Sequence, residues 1–187
     1  MPKKALPRTN WLQSTAVRVT RVQFLFIAAY MVSVIIFDSW NLIAHTAVSQ
    51  HWTAAGILLC LNAILWYLAR MKFKNDNIYI AEILVIILAD IAFAGMNVFW
   101  ERGMASRAVA LFAVPIITAA TLRSRNALIA TAALCTSAYS IAAVRYFNLH
   151  YGEGFRVELY GAVIFYSALF FVMSWLLLIV IRPEDHI

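Results

Sequence analysis

The chain alternates long apolar runs with short polar interruptions. Six runs stand out, at residues 20–42, 53–70, 78–100, 107–122, 127–147 and 158–181. Most approach or exceed the ~20 apolar residues that a helix needs to cross a bilayer core. The pattern predicts an all-α polytopic membrane protein, a bundle of six transmembrane helices. Residues 1–19 form a basic N-terminal segment with two prolines, Pro2 and Pro7, and 182–187 a short polar tail. From Trp11 the N-terminal segment reads as an interfacial helix. Trp11, Leu12 and Val19 dip into the membrane while Arg8 and Arg18 stay wet. The fourth run is short and holds Pro115, which is expected to kink it. The fifth is rich in small and hydroxylated residues, Ala130 to Ala133, Thr136 to Ala138 and Ser140 among them, and is expected at the centre of the bundle. The sixth, aromatic and aliphatic from Leu159 to Ile181, is expected to face lipid or a partner.

Composition supports this class. Of 187 residues, 64% are hydrophobic and only 13% charged, where a soluble domain carries about a quarter. Mean hydropathy is +0.79. The first apolar run lacks a small-residue cleavage site and is followed by five more, so it does not read as a signal peptide. A net charge of +6 raises the question of nucleic acid, but the distribution answers it. One side of the six-span arrangement carries Lys3, Lys4, Arg8, Arg18, Arg21, Arg70, Lys72, Lys74, Arg123, Arg125 and Arg182. The other carries Arg102, Arg107, Arg145 and Arg156. By the positive-inside rule the first side, with both termini, is expected in the cytoplasm of a multi-pass membrane protein. The partner this implies is the lipid bilayer, not nucleic acid. Cys60 and Cys135 both fall inside spans and read as small buried apolar residues.

The chemistry concentrates on the third run. Glu82, Asp90, Asn97 and Glu101 fall at offsets of 0, 8, 15 and 19, close to multiples of the helical turn, and so form one polar stripe. An ionised carboxylate at the depth of Asp90 costs at least ~2.5–3.5 kcal/mol on insertion scales, which makes it a candidate functional site. Two readings stand side by side. Asp90 binds a proton, a cation or a polar ligand; or a neutral Asp90 bonds Ser137, Thr136 or Asn62 and fixes helix packing. For Glu82 and Glu101, near the ends, solvation or snorkelling is the favoured reading.

A second constellation gathers at the outer face: Asp38, Trp40, Asn41, Asn97, Trp100, Glu101, Arg102, Arg107, Arg145 and Tyr146. It reads either as an outward-opening polar pocket with aromatic walls or as an aromatic belt with two closing ion pairs. Arg145 lies inside the end of its span and calls for a carboxylate, Asp38 or Glu101. His45, His51 and His150 are expected in outer loops at a spacing that fits no metal motif, and no histidine lies within a span to hold haem. No cofactor is expected. No Walker loop, nucleophile elbow, zinc-protease signature or paired aspartate is present, so the chain itself is not expected to be an enzyme.

Several stretches resemble the six-helix N-terminal membrane domains of bacterial sensor histidine kinases. These are residues 37–43 (FDSWNLI), 101–112 (ERGMASRAVALF), Pro115 in an Ile/Ala-rich span ending at Arg123, 143–147 (AVRYF) and 158–161 (ELYG). The resemblance implies the bacterial inner membrane and two-component signal transduction: a stimulus detected in the membrane and passed through the last helix to a cytoplasmic kinase module. A kinase module would lie on other sequence, since residues 1–187 hold no phospho-acceptor helix and no ATP-binding domain. The expectation is a sensor or ligand-binding domain whose outward pocket is formed by spans one, three and five. Asp90, Asn97, Asp38, Trp40, Asn41, Glu101 and Arg145 would line it, with Glu82, Asn62, Ser137, Arg102 and Arg107 in support. A second copy of the chain, a kinase module or a membrane subunit is the partner to expect. The alternatives are a small ion, proton or solute transporter using the acidic stripe, and a non-catalytic subunit of a membrane complex.

Overall fold

In hydrocarbon, backbone N–H and C=O groups find no water, and a continuous helix satisfies them within one segment. The computed structural model follows that rule. It describes residues 8–40, 42, 45–73, 75–150 and 156–181, and among these it is helical with no strand. Six α-helices succeed one another: α1 (Arg8–Ser39), α2 (His45–Arg70), α3 (Asn77–Trp100), α4 (Ala113–Ala120), α5 (Arg125–Leu149) and α6 (Arg156–Ile181). All but α4 are long and apolar enough to cross a membrane. Asn41, Lys74, residues 151–155 and the tail from Arg182 lie outside the described residues.

Two segments differ from expectation. α1 begins at Arg8 and runs unbroken through residue 20, so the stretch from Trp11 is continuous with the first span. The reason is its apolar face: Leu12, Ala16, Val19 and Ile27 are all buried, and that stripe gives the helix no cause to break. Pro115 acts differently from a kink. Residues Arg107–Phe112 wind as 3₁₀ helix and only then does α4 begin. Proline has no N–H to donate and its ring clashes with the carbonyl four residues back, so the α pattern starts around it instead of running through it.

The chain divides within α3 into two compact units, residues 1–86 and 87–187. In the first, α1 and α2 pack as an antiparallel pair. Three polar ties fix their register. The Gln13 amide donates to the Ala69 carbonyl (3.3 Å), the Asn62 amide to the Thr20 carbonyl (3.0 Å), and the Tyr30 hydroxyl meets His51 Nδ1 (2.7 Å). As numbers rise on α1 they fall on α2, as antiparallel helices require. The start of α3 joins this pair where Val19, Leu65 and Ile86 cluster, with Leu61 and Leu68 against them.

In the second unit α5 packs on α6 and on α4. Its buried face carries Thr131, Ala132, Cys135, Ala142 and Ala143, the small residues that let helices approach. At Gly95 of α3 an added Cβ would lie 3.8 Å from Ala138 Cβ of α5. Phe112, Tyr139, Tyr166 and Phe170 form an aromatic core, with ring centroids 5.1–6.3 Å apart. Along α6 only Leu159, Phe170 and Ser174 are buried, which leaves most of its apolar surface for lipid or a partner. Cys60, by contrast, is exposed, and only Cys135 is buried; both are free thiols. Cys60 sits on the α2 face turned away from α1, with Ile57 and Ile64, which are also exposed.

Candidate functional site: the polar face of α3

Most of the residues between Ile78 and Trp100 are apolar, so the helix would be stable in lipid in any rotation. Its polar residues decide which face turns inward. Glu82 is 4% exposed, Asp90 2% and Asn97 0%. Tyr79, Ile83, Ile86, Ile87, Phe93, Ala94 and Val98 are buried beside them, while Leu84, Val85, Leu88 and Met96 are exposed. The stripe therefore lies on the protein-facing side of α3, with the lipid-facing side wholly apolar.

The polar groups differ in what satisfies them. Asn97 donates its amide to the Phe93 carbonyl one turn back, 2.7 Å away. Asn62 spends its amide on Thr20, and its side-chain oxygen has no hydrogen-bond partner among the described residues. Ser137 is exposed and donates to the Ala133 carbonyl of its own helix at 2.9 Å, so it is not oriented as a partner for Asp90. The Thr136 hydroxyl is buried without a partner among the described residues. Glu82 departs most from expectation. A residue read as solvated near a helix end is buried, and neither carboxylate oxygen has a hydrogen-bond partner among the described residues.

The outer cluster resolves into a turn and an aromatic stack. Glu101 Oε2 accepts from the Ser106 hydroxyl (3.0 Å) and from the Ala108 amide (3.2 Å), and Ser106 Oγ accepts from the same amide (2.9 Å). Glu101 thus caps the 3₁₀ segment from Arg107, where an anion suits the unpaired N–H groups. Arg145 is exposed, its guanidinium 5.6 Å from the centre of the Phe99 ring, a cation–π contact in place of the expected ion pair with Glu101. Tyr146 lies between Phe99 (6.4 Å) and a stacked His150 (4.2 Å). Trp40 is 68% exposed, and Arg102 and Arg107 are exposed as well. Asn41 lies outside the described residues; Asp38, near the end of α1, is half-buried.

No family model, curated protein or solved structure matches this chain. The functional reading therefore rests on the residues themselves.

Sequence reasoning missed His51. Placed in an outer loop by its neighbours, it lies inside α2, fully buried, with Tyr30. Ala47 and Ala55, four residues to either side of His51, are buried on the same face of α2. Arg102, in the turn after α3, adopts φ +103°, ψ +23°. A side chain in that region costs about 1–2 kcal/mol, which glycine avoids. Arg102→Gly is expected to raise the stability of the detergent-solubilised protein by about 1 kcal/mol. Thermal unfolding followed by circular dichroism would show this as a higher midpoint.

Proposed function

We propose that this chain is a sensor or ligand-binding protein of the bacterial inner membrane, crossing six times with both termini in the cytoplasm. Its working element is α3. One observation carries the reading: Glu82, Asp90 and Asn97 are all buried on one face of a helix of membrane-spanning length. Apolar residues would pack that face at lower cost. Retaining two carboxyl groups there is the pattern of a site where a proton, a cation or a polar ligand changes the packing of helices. The outer turn and the Phe99–Tyr146–His150 stack close the end where such a ligand would enter, and α6 offers an apolar surface for passing the change to a partner. The basic clusters before α1, around Arg70 and Lys72, and at Arg123 and Arg125 support the orientation.

A small proton or cation transporter is the second reading. The burial of Glu82 favours it, because the stripe then holds two intramembrane carboxyl groups in series.

Infrared difference spectroscopy of the protein in liposomes tests the site. A carboxyl band that changes across the neutral pH range and is absent in Asp90→Asn is the expected result. A band from Asp90 that stays constant from acid to alkaline pH would reduce it to a packing hydrogen bond and overturn the reading. Proton or sodium flux in the same liposomes, lost in Asp90→Asn, would decide for the transporter.

A further inference from the structure

We propose that Glu82 is a second site, separate from Asp90, that binds a small cation, a proton or an alkali metal ion, entering from the α2–α3 loop. The proposal rests on the reading of α3 as a membrane span. Its first ground is the carboxylate itself: 4% exposed, with neither oxygen accepting a hydrogen bond among the described residues. A carboxylate without donors is stable in such a place only with a positive charge or a proton on it.

The second ground is the space around it, which follows from helical register. Val19, Leu65 and Ile86 cluster at one level of α1, α2 and the start of α3. One turn toward the α2–α3 loop lie Ala16, Ala69 and Glu82. Both alanines are completely buried. By that register α1 and α2 present to the carboxylate the two smallest side chains that a helix readily carries, and the proposed ion sits against them. The basic residue next to Ala69 on α2, Arg70, is exposed and lies 3.7 Å over the Trp66 ring, and neither Glu82 oxygen has a hydrogen-bond partner among the described residues.

The third ground is the way in. One turn further toward the loop, Gln13 donates to the Ala69 and Met71 carbonyls (3.3 and 3.2 Å). The Tyr79 hydroxyl donates to the Met71 carbonyl (2.8 Å) and accepts from the Phe73 amide (3.0 Å). These bonds form a polar plug between Glu82 and the loop. Its hydroxyl, amide and carbonyl groups are the kinds that hand a proton or a dehydrated cation inward. The apolar layer of Val19, Leu65 and Ile86 closes the other side. Glu82 therefore exchanges with the loop side alone.

The test is carbodiimide labelling of the full chain in liposomes, located by mass spectrometry. An apolar carbodiimide adds to a protonated carboxyl group and rearranges to a stable N-acylurea with no leaving group. Dicyclohexylcarbodiimide is expected to label Glu82, with the label falling as pH rises and absent from Glu82→Gln. Protection by sodium or lithium chloride at fixed pH would identify an alkali ion as the occupant. Dependence on pH with no salt effect would identify a proton. A water-soluble carbodiimide should fail on the wild type and label Glu82 when Tyr79→Phe or Gln13→Ala loosens the plug. Absence of label at Glu82 at every pH, or labelling that ignores both pH and salt, overturns the proposal. Glu82→Gln, expected to remain folded and in the membrane after an alkaline wash, separates loss of the site from loss of the fold. Loss of wild-type protein in that wash would refute the membrane reading instead.

Discussion

Gly103→Ala is expected to destabilise the protein by about 2–5 kcal/mol. Gly103 begins the turn after α3 at φ +59°, in the left-handed region that favours glycine. A Cβ there would lie 2.7–2.8 Å from Cδ1, Cβ and Cγ of Tyr146. Those atoms form the base of a side chain whose ring is already held between Phe99 and His150, so it has little room to retreat. Two costs add: the strained backbone, about 1–2 kcal/mol, and overpacking, about 1–3 kcal/mol. They can be separated. In Tyr146→Ala the clash is gone, and adding Gly103→Ala should then cost only the backbone part. Thermal unfolding of the four proteins in one detergent gives the coupling between the two positions. Equal costs of Gly103→Ala in both backgrounds would show that the turn does not sit against the ring.

The helices were legible because their signal is long and redundant. Five apolar runs of near-membrane length leave little choice of structure, and five helices of that kind are present. The boundaries of α3, α5 and α6 lie within two residues of the apolar runs, whereas α2 begins eight residues early, at His45, where a loop-like composition continues the helix to Trp52. The short fourth run was harder. Its apolar pattern looks helical throughout, but the change from 3₁₀ to α at Ala113, two residues before Pro115, is set by one missing N–H and one ring clash, which hydropathy does not record.

The stripe on α3 was legible for the same reason: four polar residues at helical spacing in an apolar run admit one common face. What each of them touches was not. Arg145 near a span end calls for a carboxylate on electrostatic grounds, yet Glu101 bonds its own turn and Arg145 meets Phe99. A local partner three to seven residues away costs less chain entropy to hold than one on another helix. Ser137 failed as a partner for Asp90 in the same way. A serine inside a helix readily bonds the carbonyl four residues back, and from there its exposure is decided by the rotation of the whole helix. Glu82 was misjudged because depth was taken from its distance to the helix end. Ile86, one turn away, clusters with Val19 of α1 and Leu65 of α2, and that neighbourhood rather than the position along α3 accounts for the burial.

A cysteine placed at Asn126, just inside α5, is expected to react with a membrane-impermeant maleimide from the cytoplasmic side alone. The question is whether Arg107–Ala120 crosses the membrane. As 3₁₀ followed by α-helix it spans about 24 Å, short of the ~30 Å hydrocarbon core. Length alone therefore argues for a segment that dips in and returns. The neighbours argue the other way. Gly95 lies against Ala138, while Phe99, one turn later, meets Arg145 and Tyr146. Residue numbers rise together on α3 and α5, so the two helices run parallel. The chain between them has to return, and on the proposed six-span reading Arg107–Ala120 is the return leg. Its ends fit that proposal: Arg107 stands at one and Arg123 and Arg125 at the other, which the positive-inside rule would put in the cytoplasm. Packing of Phe112 and Ile116 into the protein, both fully buried, leaves less of the segment to match the lipid, so a modest local thinning is enough. The wild type supplies the control, since Cys60 faces away from α1 on an apolar surface and Cys135 is buried. Labelling of Asn126→Cys in intact cells, before any permeabilisation, would mean that five spans cross and that the end of the chain lies outside. α6 could not then pass a signal to a cytoplasmic partner, and the sensor reading would fall with it.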